Sequence, residues 1–246
     1  MNEKALPTKT DPSGLQTLEQ FADAKRFNQW LFRTLLPFCK GKILEAGSGI
    51  GNISQLLLEH QFHLTASDLR QEYCIHLREK FKNHKFLDEV VHLDLSNEAL
   101  ESKHPGLLEK FDTVITSNVI EHIKDDLHAI RNCKKMLADK GQLIILVPAF
   151  QRIYNNLDKE LGHFRRYNAK QLAGMLKSEG LKVIHTEYFN AAGLIGWFFS
   201  GKLLKNKIIP GSHLKLFEKL VPIIKVIDKI TFHKAGLSVI AVAAKP

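Results

Sequence analysis

Hydrophobic positions along the chain change period several times, and each change marks an element. Phe21, Ala24, Phe27 and Leu31 recur at helical spacing. Thr17 with Gln20 forms a capping box ahead of them and Pro37 marks the end, so the pattern predicts a helix over residues 17–38. From Lys42 short apolar runs alternate with helical ones. KILEAG, FHLTASD, VVHLDLS, FDTVITSNV and QLIILVPAF read as successive strands. NISQLLLEH reads as a helix, as does QEYCIHLREKFKNH with Cys74, Leu77 and Phe81 on one face. KDDLHAIRNCKKMLADKG reads as another, closed by Gly141. The strand runs are continuous rather than alternating, as expected of parallel strands covered on both faces.

After Pro148 comes an irregular polar stretch, QRIYNNLDKELGHFRRYN; Asn168 and Gln171 then open the helix AKQLAGMLKSEG. KVIHTEYF and LSVIAVAAK are the sixth and seventh expected strands. Between them, residues 190–236 form an expected helical lid. In its part HLKLFEKLVPIIKVIDKI, Phe217, Leu220, Val221, Ile224 and Ile227 make one apolar helical stripe, and Pro222 kinks that helix or sets its start. Residues 1–16 read as a flexible arm, and residues 17–246 as a single α/β domain.

Composition narrows the class. Apolar and charged fractions of 44% and 25% are those of an ordinary globular chain. Cys39, Cys74 and Cys133 form no C-x-x-C pair, which disfavours a disulfide framework and a cysteine metal site and fits a reducing, cytoplasmic compartment. MNEKALPTKTDPSG lacks the apolar core of a secretory signal, and AAGLIGWFFSG is too short to span a bilayer. The net charge of +9 points to nucleic acid, an anionic membrane surface, an acidic substrate or a solvated lysine face.

The candidate chemistry starts at ILEAGSGIGN, residues 43–52. A dinucleotide loop needs G-x-G-x-x-G, but counting from Gly47 the third glycine position is Asn52. A P-loop needs a lysine after its glycines, and none follows here. The pattern E-x-G-x-G-x-G, with Glu45, Gly47, Gly49 and Gly51, suits close backbone approach by another ligand. Asp68, at the end of the second strand, is placed to accept ribose hydroxyls. Asp94, at the end of the third, is placed to accept from an adenine amino group.

Together with SDL, HLDLS, FDTVITSNVIEHI and KKMLADKGQLIILVP, this loop resembles the class I S-adenosylmethionine-dependent methyltransferases across about residues 40–150. The resemblance implies a Rossmann-like, seven-stranded, mostly parallel sheet with helices on both faces and the last strand antiparallel beside the fifth. It implies S-adenosyl-L-methionine as cofactor, with Glu45, Gly47, Gly49 and Gly51 at the methionine part and Asp68 and Leu69 at the ribose. Asp94 and Leu95 would frame the adenine, and Asn118 and Val119 the methyl-transfer face. The family's leucine-glutamate-histidine appears here as Ile120, Glu121 and His122.

The implied reaction is methyl transfer to a small-molecule or lipid-like acceptor at oxygen, a hydroxyl or a carboxylate. His163 and His122 are the candidate bases for a hydroxyl. Related enzymes carry a similar G-H-x-R-x-[YF] stretch at GHFRRY, so Arg165, Arg166 and Tyr167, with Trp197 from the insertion, are expected acceptor contacts. Lys202, Lys205, Lys207, Lys215, Lys219, Lys225, Lys229 and Lys234 face only Glu218 and Asp228 in the insertion, which admits peripheral contact with the inner membrane surface. An RNA or other nucleic-acid methyltransferase is the alternative that the charge favours, although SNVIEH stands where base methylases carry N-P-P-Y. A nicotinamide dehydrogenase and a non-catalytic binding module stay as further alternatives.

Overall fold

The computed structural model describes residues 18–20, 22–198, 211–230 and 232–246. Thr17, Phe21, Phe199, Lys202, Lys205, Lys207 and the expected N-terminal arm lie outside them. The sheet contains β1 (Ile43–Ala46), β2 (Leu64–Asp68), β3 (Leu87–His92), β4 (Phe111–Ser117), β5 (Leu137–Pro148), β6 (Lys182–Phe189) and β7 (Ser238–Ala244). Their spatial order is β3-β2-β1-β4-β5-β7-β6. The strands from β3 to β5 run parallel, and β7 lies antiparallel between β5 and β6. This is the sheet that the motifs led us to expect.

Every residue of β1 and β2 is buried, because helices cover both faces. One face holds α1 (Lys25–Leu35), α2 (Asn52–Glu59), α3 (Gln71–Lys80) and α9 (Gly211–Ile230), with Trp30, Leu57, Leu77 and Ile224 in the core. The other face holds α5 (Asp126–Met136) and α7 (Ala169–Ser178), with Ile130, Met136, Leu172 and Leu176 packed against Val114 and Leu143. Short helices α4 (Leu100–Lys103), α6 (Asn156–Glu160) and α8 (Ala191–Trp197) line the loops. Strand order reverses at β1, which places a crevice beyond the carboxyl ends of β1 and β4.

Three sequence expectations are corrected. The helix expected over 17–38 starts at Lys25: Ala24 is a non-helical N-cap, and Leu36–Phe38 with Pro37 tighten into a 3-10 turn. Its first amides, on Arg26 and Phe27, donate to the Glu218 carboxylate of α9, a partner no local pattern reveals. The helix expected to run to Gly141 ends at Met136, and LADKG opens β5 instead. There Leu137 pairs with Phe111, the register then shifts, and Lys140 adopts the left-handed conformation at φ 60°. Gly141 sits within this bulge, where an added Cβ would lie 2.9 Å from the Phe111 carbonyl oxygen. The third correction concerns α9. It runs unbroken through Pro222, and its expected single stripe divides. Val221 and Ile224 are buried, whereas Leu220 and Ile227 are exposed.

Candidate functional site

The glycine loop bends over the tip of β1. Gly47 has φ 87°, and an added Cβ would lie 2.2 Å from the Val119 methyl, so only glycine fits both backbone and neighbour. The amides of Gly47 and Ser48 donate to the Ser67 carbonyl, and the Gly49 amide donates to the Asp68 carboxylate at 2.9 Å. The second Asp68 oxygen accepts from the Arg70 amide at 2.9 Å. Burial pushes the Asp68 carboxyl up, against the pull of these two amides. Asp68 therefore joins the tip of β2 to the loop. Beneath the loop, Glu45 accepts from the hydroxyls of Ser54 and Ser48. Burial raises its carboxyl to about 7.

Asp94 accepts from the amide and hydroxyl of Ser96. With exposed Leu69, and with His92, Asn97 and Lys103, it lines an open cavity of about 350 Å³. Leu95 is buried beside it. Across the loop, Asn118 is exposed and left-handed at φ 54°, a conformation asparagine tolerates. It turns the chain so that Val119 faces Gly47. A glycine with no room for a Cβ at Gly47, an acid at the tip of β2, a second acid in the turn after β3 and the open cavity beside that second acid fit an adenosyl ligand with a charged amino-acid end.

A second cluster lies beyond β4 and β5. His163 is 9% exposed, and its Nδ1 lies 2.8 Å from Asp158 Oδ1. Its Nε2 stands 4.0 Å from Glu121 Oε1. The Glu121 carboxylate is fully buried, and among the described residues no other side chain or backbone group hydrogen-bonds to either oxygen. Burial pushes that carboxyl up to about 8. The exposed His122 ring packs edge-on against His163, with centroids 4.7 Å apart. Asp158 caps α6, receives Arg166 Nε at 2.7 Å and is itself fully buried. Burial raises its carboxyl, but hydrogen bonding to His163 and the Arg166 charge outweigh that and hold it below its ordinary value.

The other expected acceptor contacts are engaged within the protein. Arg166 is 2% exposed, donates to the Ala149 carbonyl and stacks over Trp197 at 4.6 Å. The Tyr167 hydroxyl donates to Asp126, and Arg165 pairs with the same carboxylate. Trp197 is 8% exposed, and its indole N–H has no partner among the described residues.

The family profile described as a methyltransferase domain matches residues 18–186. The chain belongs to this methyltransferase family. A Mycolicibacterium smegmatis protein described as a probable S-adenosylmethionine-dependent methyltransferase is 25% identical over 199 residues, covering 78% of this chain and 74% of its own. A SAM-dependent methyltransferase from Archaeoglobus fulgidus shares the fold with a TM-score of 0.56 and 16% identity, over 92% of this chain and 99% of that one. The CurJ carbon methyltransferase aligns with a TM-score of 0.58 and 15% identity, over 90% of this chain and 54% of its own. The class inferred from the motifs therefore holds: this methyltransferase uses S-adenosylmethionine as its cofactor.

Sequence reasoning missed two residues of the methyltransferase. Lys80, on α3, donates to the carbonyl of Ile50 at 2.9 Å and holds the glycine loop from behind. Asp158 is the partner shared by His163 and Arg166. A lysine in a charged helix has no distinguishing pattern. Asp158 could have been flagged only through the Asn155 capping box, which Asp158 completes from the third helical position.

Proposed function

We propose that the enzyme transfers the methyl group of S-adenosylmethionine to a hydroxyl oxygen of a small-molecule or lipid-like acceptor, with His163 as the general base. When bound, the sulfonium cofactor supplies an activated methyl group. Glu45, Gly47, Gly49 and Gly51 would hold its methionine part, Asp68 and Leu69 its ribose, and Asp94 and Leu95 its adenine. Asn118 and Val119 would border the transfer face.

The observation that carries the acceptor side is the buried Asp158–His163–Glu121 line. Asp158 accepts the His163 Nδ1 proton, which leaves the lone pair on Nε2 to take the acceptor's proton. The carboxyl of Glu121, raised by burial to about 8, gives Nε2 a polar neighbour 4.0 Å away. Arg166 acts through Asp158 as a positioning residue, and Trp197 offers an unpartnered N–H to the acceptor. His122 is the second candidate base, and Arg165 and Tyr167 shape the wall through Asp126.

The test begins with an acceptor screen using methyl-labelled cofactor against metabolite and lipid extracts. With the product in hand, His163→Ala should lower kcat by about 100-fold or more while leaving cofactor affinity unchanged. Unaltered turnover across pH would sink the base assignment and favour a carboxylate acceptor, which needs no base. The net charge of +9 supports the alternative of a nucleic-acid acceptor. Tight, salt-sensitive RNA binding with label recovered in RNA would establish that reading instead.

A further inference from the structure

Helix α9 carries an apolar stripe that no described residue buries. Leu216, Leu220, Ile223, Ile227 and Ile230 follow one another at alternating steps of four and three residues and so share a face. They are 58%, 40%, 61%, 39% and 69% exposed. The face that packs on the domain is a different one, formed by Phe217, Val221, Ile224 and Asp228. A surface helix ordinarily places polar residues where this stripe lies, and a continuous aliphatic row of this length marks a contact surface.

Its charges are sorted as well. The two acids of α9 are spent inside the fold: Glu218 accepts the Arg26 and Phe27 amides, and Asp228 accepts those of Asn190 and Ala191 at 2.6 and 2.7 Å. Lys219 and Lys229 are exposed and Lys225 is half-buried. Between α1 and α9 runs an open groove of about 370 Å³, with an apolar floor at Val221 and Pro222 and a cationic rim of Arg26, Lys225 and Lys229. Among the described residues, no carboxylate pairs with the side chains of these three cations. Burial first, and then the nearby charges of Arg33 and Lys229, push the Lys225 ammonium below its ordinary pKa.

We propose that the α1–α9 face docks the enzyme on an anionic phospholipid bilayer, with the aliphatic stripe entering the interface and headgroup phosphates received by the Arg26–Lys225–Lys229 groove. The described charges on the solvent side of α9 are all cations, with Lys219 beside the stripe and Lys225 and Lys229 in the groove across exposed Pro222 and Val226, a sorting that suits a helix lying on an anionic membrane surface. No described helix is long and apolar enough to cross a bilayer, so the contact is peripheral. A second copy of the chain fits less well, because two-fold pairing would set lysine against lysine. Nucleic acid fits less well too, because the stripe has no aromatic ring for base stacking. The proposal stands apart from the identity of the methyl acceptor.

The full-length protein is to be sedimented with vesicles of phosphatidylcholine alone, and with vesicles in which roughly a third of the lipid is phosphatidylglycerol. Binding is expected to the anionic vesicles only, and to fall as salt rises. Ile223→Ser/Ile227→Ser and Lys225→Glu/Lys229→Glu should each weaken it by about tenfold or more, while the thermal shift given by S-adenosylmethionine stays unchanged. That retained shift separates failure of docking from failure of the cofactor reading. Equal binding to neutral vesicles, or none to either, would overturn the proposal. So would variants that abolish RNA binding or a stable dimer while leaving vesicle binding intact.

Discussion

Asp68 performs two tasks at the tip of β2. Its carboxylate fastens the Gly49 amide, and in the proposed site it also takes two ribose hydroxyls. Asp68→Ala should therefore weaken S-adenosylmethionine binding at least about tenfold, as read by calorimetry, since each lost hydrogen bond is worth about 1 kcal/mol. Affinity within about twofold of the parent would remove Asp68 from the site. Glu121 makes a pH-dependent prediction. Its folded carboxyl lies at about 8, against an ordinary value of 4.5. Between those values the unfolded chain gives up a proton that the folded one keeps, so stability falls as pH rises across the window and levels off above it. Glu45, raised to about 7, adds a slope of the same sign. Glu121→Gln should thus raise Tm most at pH 8 and above, and match the parent near pH 4. A Tm gain that does not grow with pH would show that Glu121 ionises freely.

At the scale of elements, α8 and α9 are tied down by polar caps as much as by packing. Asp228, 1% exposed, supplies both oxygens to the first amides of α8 and joins α8 to α9. Asp228→Ala leaves those buried donors without a partner, a cost of about 1–3 kcal/mol. It should appear as a lower urea midpoint, with the slope of the transition little changed. An unmoved midpoint would mean that Val221 and Ile224 alone hold the helix. Glu218 plays the same part for α1, the helix that lies over the domain just ahead of the glycine loop. In the sequence both acids stand only as the two counter-charges to the lysines of the insertion. Both turn inward, because capping a helix elsewhere in the chain satisfies more donors than an exposed ion pair does.

For the whole molecule, one cofactor should join the two halves of the sheet, since its proposed contacts come from the ends of β1, β2, β3 and β4. S-adenosylmethionine at about 100 times its Kd should stabilise the fold by about 2.7 kcal/mol, a Tm rise of roughly 5–10 °C for a chain of this size. NAD at the same excess should leave Tm where it is, and a rise with NAD instead would contradict the cofactor assignment. The net charge of +9 belongs to this scale as well. It is legible in composition, yet its meaning depends on which acids the fold consumes, and around α9 it consumes both.

Local order and spacing were enough to specify the order of the strands, the glycine turn and the acid at the tip of β2, but not where β3 and β5 begin and end. Each of those depends on residues within a few positions of one another: a buried run makes a strand, and a positive φ calls for glycine. The helix ends at Lys25 and Met136 were not legible, because Glu218 and the Phe111 strand decide them from far along the chain. The Asp158–His163–Glu121 line, the stacking of Arg166 on Trp197 and the two faces of α9 likewise exist only after folding. Which side of an apolar helix is buried, and which charge finds a partner, depends on packing between distant segments, and no periodicity within either segment records it.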